Sequence, residues 1–346
     1  MTRKSLAGIG LAGAALLALT ACAGGGGGGS DEDGGGGTEH SFVYITNDPI
    51  GINQCLESGK IGIEEAAEAY NGTSKVYEST DQASQRANLD QAVAEAPDVI
   101  VLITFDFEDM AKEYAEANPE QEFLLIDACP QGGPENLHCA VFREYEASYL
   151  LGVEAGLRSE SGKIGSVGAV DIPFIHRYTD AFAEGARSVN PSVGDTQLFI
   201  GGDNPFSDPA KAKEQALAIA AAGVDHVFAV GAGSNGGIFE AAAEADMQAY
   251  GVDVNQCPMA PGHGADGALK AVNVLVVKEI GKILEGTAEP VSSYGLAEEG
   301  MDLVSLAEGA EDSQCTVMEH PDVLEKVKEV KEQIISGELK IEDPAA

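Results

Sequence analysis

The strongest constraint on the fold is a regular alternation of short β-rich runs with amphipathic helical stretches, repeated twice along 346 residues. Residues 42–46 read as a strand, followed by helical periodicity through 64–70. Residues 76–77 and 82–96 repeat the pair. Val99–Ile103 is a continuous apolar run, as expected of a parallel strand covered on both faces. A helix over 109–118, a strand over 123–126 and another around 139–142 complete the first set. A long helix carrying Tyr149, Leu150, Leu151 and Val153 follows, and the pattern restarts: strand 164–170, helix 178–189, strand 197–200, helix 210–222, strand 227–230, helix 238–247, strand 250–252. Two last helices, 268–284 and 322–335, are expected to bracket a segment richer in β-formers. Two such sets predict the α/β class, with two doubly wound lobes carrying helices on both faces. Ligands of these sheets bind beyond the carboxyl ends of the strands, so two facing lobes make a cleft suited to a small solute.

The N-terminus speaks to location. Arg3 and Lys4 precede an apolar run over 6–19, too short for a stable membrane span and typical of a secretory signal. The run ends in Leu19-Thr20-Ala21-Cys22, which resembles a bacterial lipobox, with Cys22 as the lipidated first residue after cleavage. Residues 1–21 are thus expected to be a signal peptide and 22–40 a Gly/Asp-rich tether, with glycine runs over 24–29 and 34–37. A coil of that length reaches roughly 24 Å. The expected place of the folded part is the outer face of a cell membrane, held by lipid.

The chain carries 57 Asp+Glu against 20 Lys+Arg, a formal charge of −37. Cleavage at Cys22 removes two cations, which makes it 18 minus 57, or −39. Without a basic block there is nothing to bind phosphate backbones, so nucleic acid is excluded as a partner. Such an excess of acid suits a surface bathed in salt.

Five cysteines remain after Cys22, and an oxidising compartment favours pairing. Cys129 and Cys139 flank Pro130-Gln131-Gly132-Gly133-Pro134 and are expected to close that loop. Cys257 with Cys315 is a second candidate pair; the odd count leaves Cys55 free or requires a different pairing. There is no CxxC or HExxH, so no metal site is expected, and no cofactor.

Gly231-Ala232-Gly233-Ser234-Asn235-Gly236 is a GxGxxG between strand and helix, with Asp253 ending the next strand. Alone, that suggests a dinucleotide site. Its late position and the exported context weigh against a nicotinamide enzyme. The underlying physics still serves a sugar: glycines admit backbone amides to a ligand, and a carboxylate accepts from vicinal hydroxyls.

Further motifs carry a family resemblance. Asn47-Asp48-Pro49-Ile50-Gly51-Ile52-Asn53-Gln54 looks like an Asp-Asp-x-Ser-Phe-Asn-Gln loop. Phe142-Arg143-Glu144, followed by Glu146-Ala147-Ser148-Tyr149-Leu150-Leu151-Gly152, resembles a Phe-Arg-x-x-Glu-x-x-Tyr-Leu-x-Gly stretch. Asp208-Pro209-Ala210-Lys211-Ala212-Lys213 and Tyr250-Gly251-Val252-Asp253-Val254-Asn255-Gln256 match two more signatures. Together these resemble the basic membrane protein family, nucleoside-binding lipoproteins of ABC importers, over most of 41–335. The resemblance implies a type I periplasmic-binding-protein fold with three crossings between lobes, a monomeric chain, an ABC permease as partner and a purine nucleoside as the commonest ligand class. It places 41–143 plus about 259–290 in lobe 1, and 144–258 plus about 291–340 in lobe 2.

Carried over residue by residue, Asp253 would hold ribose hydroxyls, helped by the Gly231 or Gly233 backbone and by Lys270. Asp48 and Asn53 would line the lobe 1 side, with Asp109 toward the base edge. Asp109 also fits the first turn of a helix as a capping acid. The family's stacking aromatic is replaced by Ile52, its second loop Asp by Pro49, and a Thr-Ser before the lysine by Asp266-Gly267. Phe174 or Phe206, each beside a proline, could supply the stacking instead. Arg177 is assigned to pairing with carboxylates. Alternative readings are the same fold binding a flavin-like vitamin or a sugar, a sensor subunit, or, more remotely, an exported enzyme: an oxidoreductase on the GxGxxG, or a nucleoside hydrolase. No GxSxG elbow supports a nucleophile.

Overall fold

The computed structural model describes residues 40–346; Cys22, the signal and the tether lie outside the described residues. The first parallel set comprises β1 (His40–Ile45), α1 (Gln54–Ala69), β2 (Gly72–Tyr77), α2 (Gln82–Glu95), β3 (Val99–Ile103), α3 (Glu108–Ala117), β4 (Glu122–Ile126) and β5 (Leu137–Phe142). The chain then enters α4 (Glu144–Arg158), β6 (Lys163–Gly168), α5 (Pro173–Val189), β7 (Gly194–Phe199), α6 (Pro209–Ala221), β8 (His226–Val230), α7 (Asn235–Ala245), β9 (Gln248–Asp253) and β10 (Gly264–Lys270). It closes with α8 (Val272–Leu284), β11 (Val291–Tyr294), β12 (Met301–Leu303) and α9 (Pro321–Ile335).

Two six-stranded sheets result, in the orders β11-β5-β4-β3-β1-β2 and β12-β10-β9-β8-β6-β7. Each repeats the doubly wound 2-1-3-4-5 order, whose switch point lies between the first and third strands. β3 is buried along its whole length, as its unbroken apolar sequence requires. Among the described residues the only antiparallel pairing is β12 on β10.

Two sequence expectations fail here. Residues 268–270 end β10 and do not open a helix. Gly264-Ala265-Asp266-Gly267-Ala268-Leu269-Lys270 has no β-branched or aromatic residue, so propensity conceals the strand. Crowding selects glycine at the start of the strand: a Cβ on Gly264 would lie 2.5 Å from Cys257 Cα and 2.6 Å from its carbonyl oxygen. Consequently β10 belongs to the second sheet and β11 to the first. The lobe boundaries move accordingly, with crossings after β5, after β10 and between β11 and β12. The expected assignments of 259–270 to lobe 1 and 291–294 to lobe 2 are thereby corrected.

One apolar core runs through both lobes by way of α1, α4, α5 and α8, and a separate cluster fills the outer face of each sheet. Where α4 crosses α5 the backbones touch: a Cβ on Gly152 would lie 2.0 Å from the Phe182 carbonyl oxygen, and one on Gly185 2.0 Å from that of Tyr149. Cys129 is bonded to Cys139 and Cys257 to Cys315, while Cys55 is a buried free thiol. No described helix is long and apolar enough to cross a membrane.

Candidate functional site

The carboxyl ends of both sheets face a cavity between the lobes, where sheets of this kind bind their ligands. Four non-glycine residues at these strand ends sit in left-handed backbone: Thr104 after β3 (φ 79°), Asp127 after β4 (φ 79°), Ala232 after β8 (φ 48°) and Asp253 at the end of β9 (φ 71°). Thr104 pairs its φ with a ψ of 159°, a region nearly reserved for glycine. Each such residue costs about 1–3 kcal/mol, and strain of this kind concentrates at ligand sites. All four line the cavity.

The floor is ionic. Lys270, 5% exposed, places Nζ 2.6 Å from Asp127 Oδ1 and 3.6 Å from Glu144 Oε1. Asp127 comes from lobe 1, and Lys270 from the end of β10 in lobe 2. Behind them Arg177 holds Glu144 Oε2 at 3.1 Å and grips Asp343 at 2.7 Å. Burial alone would lower the Lys270 pKa, but Asp127, Tyr178, Cys55 and Glu144 hold it well above the usual value. Burial pushes Glu144 up to about 7, against the pull of Lys270 and Arg177. It lifts Asp253 to about 6, with Lys270 pulling down and Asp127 pushing up. Burial raises the Cys55 thiol, and Asp253 raises it further. A protonated thiol and a charged ammonium are poor nucleophiles.

Above it is an aromatic wall. Phe105 of lobe 1 meets Phe174 and Phe206 of lobe 2 at centroid distances of 5.3 and 6.3 Å, and Phe174 abuts Tyr178 at 6.0 Å. On the rim, Asn47 Nδ2 donates to Asp106 Oδ2 at 2.7 Å and to Asp48 Oδ2 at 3.3 Å. Burial raises both carboxyls; Asp106 raises Asp48 further, while the Asn47 bond opposes the rise in Asp106. Buried Asn47 Oδ1 and Thr104 Oγ1 have no hydrogen-bond partner. Unmet acceptors beside a wall of tilted aromatic rings suit a ligand with hydroxyl or amine donors on one side and an apolar or aromatic group on the other.

The cavity gathers Asp48, Asn53, Phe174, Phe206, Asp253 and Lys270 from the residues picked in the sequence. Asn53 also caps α1, its Oδ1 accepting from the backbone N–H of Cys55 and Leu56. Four others lie elsewhere. Ile52 is 57% exposed outside the cavity, its side chain turned onto Gly233. Asp109 is an exposed acid in the first turn of α3, and Asp106 takes the cavity position three residues earlier. The Gly231 N–H is taken by Asn235 Oδ1 at 2.7 Å, and Gly233 packs against Ile52 and Phe206. Between them, Ala232, in left-handed backbone, lines the cavity. Sequence reasoning missed Asn47, Thr104, Phe105, Asp106, Asp127 and Tyr178. The polar residue directly after each buried apolar strand was a usable signal for Thr104 and Asp127.

A family model described as "ABC transporter substrate-binding protein PnrA-like" matches residues 46–344. The CD4+ T-cell-stimulating antigen of Listeria monocytogenes is 27% identical over 291 residues, covering 81% of this chain and 78% of that protein. The ABC transporter nucleoside-binding protein BmpA of Lactococcus lactis is 28% identical over 252 residues, 67% of this chain and 71% of its own. A solved ABC transporter solute-binding protein from Aeropyrum pernix superposes with a TM-score of 0.77 at 26% identity, covering 88% of this chain and 94% of that one. With the matched region running from the end of β1 to the C-terminal segment, this chain belongs to the Bmp family of PnrA-like ABC transporter substrate-binding proteins.

Proposed function

We propose that the protein captures a nucleoside, with purine nucleosides as the leading class, and passes it to an ABC permease without chemical conversion. Members of this family are extracytoplasmic and bind small solutes for such permeases. The lipid on Cys22 and the tether hold the domain at the membrane in this reading. The observation that carries it is that Asp253 and Lys270 line one cavity together with Phe105, Phe174 and Phe206. An ionised carboxylate accepts from two vicinal hydroxyls, the ammonium donates to a hydroxyl oxygen, and a base lies among Phe105, Phe174 and Phe206. The printed name of the Lactococcus relative, a nucleoside-binding protein, supports the same class.

The test is calorimetry on wild type and Asp253→Ala with adenosine, guanosine and their 2′-deoxy analogues. A hydrogen bond to a charged group contributes about 1.5–3 kcal/mol, so Asp253→Ala should weaken ribonucleoside binding roughly tenfold to a hundredfold. The deoxy analogues should lose less from the substitution. Equal affinity of variant and wild type would refute the assignment.

A further inference from the structure

Two pairs of residues that stand out in the sequence motifs, Asn53-Gln54 and Asn255-Gln256, leave their glutamines outside the ligand cavity. We propose that Gln54 and Gln256 form a clasp between the lobes, which holds the closed form and sets the rate of ligand release without touching the ligand. Gln54 opens α1 in lobe 1, and Gln256 follows β9 in lobe 2. Gln256 Nε2 donates to Gln54 Oε1 at 2.8 Å, and Gln256 is 2% exposed.

The direction of that bond is dictated by the backbone. The Val252 N–H donates to Gln256 Oε1 at 3.3 Å, and Asn235 Nδ2 donates to the same oxygen at 2.9 Å. Asn235 Nδ2 also donates to the Ala229 carbonyl at 3.1 Å, and the Gly231 N–H donates to Asn235 Oδ1 at 2.7 Å. A backbone N–H can only donate and a carbonyl can only accept, so neither amide can be turned over without losing bonds. Gln256 therefore offers a donor to lobe 1, and position 54 has to accept.

The seat for this clasp is built into the same motifs. A Cβ on Gly251 would lie 2.6 Å from Gln256 Oε1, so glycine there admits the amide. Asn255 pins the loop, its Oδ1 accepting from the Cys257 N–H at 3.1 Å and its Nδ2 donating to the Ser313 carbonyl at 3.0 Å. Beside the amides, Ile52 lies against the turn at Gly233, where a Cβ would come within 2.8 Å of Ile52 Cγ1. Of the strands that brace Gln256, β8 leads into Ala232 and β9 ends in Asp253, both on the cavity wall. On the other side, Gln54 adjoins Asn53, which also lines the cavity. Closure of the clasp and closure of the site are one movement.

The experiment compares wild type, Gln54→Leu and Gln54→Glu. Leu removes the acceptor and strands the buried Gln256 Nε2, whereas Glu keeps an acceptor in place. Stopped-flow release of adenosine and guanosine should be about three- to tenfold faster from Gln54→Leu, with the association rate unchanged. Gln54→Glu should release at the wild-type rate or more slowly. Small-angle X-ray scattering of the ligand-free proteins should give a larger radius of gyration for Gln54→Leu only. If neither nucleoside binds wild type, the nucleoside reading fails, and scattering alone decides on the clasp. Gln54→Leu matching Gln54→Glu in release, or in scattering where no nucleoside binds, overturns the proposal.

Discussion

Replacing Lys270 with Met should destabilise the protein strongly at neutral and alkaline pH and much less near pH 5. The ammonium is 5% exposed, 2.6 Å from Asp127 and 3.6 Å from Glu144, and lies over the rings of Phe142 at 4.8 Å and Phe174 at 5.6 Å. Met fills comparable space, so the loss is electrostatic and not a cavity. Removing one partner of a buried ion pair costs about 3–5 kcal/mol, because the charge left behind has lost its compensation. At about 2–3 °C per kcal/mol that lowers Tm by roughly 6–15 °C. Glu144 already titrates near 7 and Asp253 near 6 with the lysine present, and both rise without it. Their folded-state values then lie well above the unfolded ones. The native variant thus binds more protons than its unfolded chain, and its stability falls as pH rises through those values. Below about pH 6 the carboxyls are protonated and no longer need the cation, so the gap to wild type narrows. Thermal melts of both proteins at pH 5, 6 and 8 give the comparison. A gap equal at pH 5 and pH 8 would refute the claim that Lys270 exists to neutralise buried carboxylates.

Gly152→Ala should cost at least about 1–3 kcal/mol, because its Cβ would meet the Phe182 backbone and force α5 away; an unchanged Tm would contradict that crossing. Ile52→Phe should change affinity for purine nucleosides by less than about 0.7 kcal/mol, since residue 52 lies outside the cavity and 57% exposed; a tenfold tightening in calorimetry would put the ring over the base. Cys22→Ala should leave a folded protein that takes up no palmitate label, and equal labelling of variant and wild type would remove the lipid anchor from the account.

Strand and helix order was legible wherever pattern and packing agree. Val99–Ile103 is apolar because helices cover both of its faces, and it reads as a buried strand without further information. β10 escaped because its glycines and alanines carry no strand signal, and at Gly264 the Cys257 backbone leaves no room for a side chain that would. The lobe boundaries erred as a result. At the site, Asp253 and Lys270 stand at strand ends, and motif reading placed them in the cleft. Asp127 and Thr104 stand at equivalent ends, marked in the sequence only as polar residues after apolar strands; their left-handed backbone, and for Asp127 its pairing with Lys270, are not visible in a linear pattern. Ile52 misled for a related reason: a loop position matches by alignment, while the direction of its side chain depends on the glycine opposite it in the other lobe.

The central claim is that the interlobe cavity holds a nucleoside by its ribose and its base at once. The direct measurement is calorimetric titration of wild-type protein with adenosine, guanosine, uridine, ribose, adenine and riboflavin under one set of conditions. The account predicts saturable one-to-one binding of a purine ribonucleoside, with ribose and adenine alone binding far more weakly. Binding of ribose or riboflavin in preference to every nucleoside, or no heat from any nucleoside at high micromolar concentration, would contradict it.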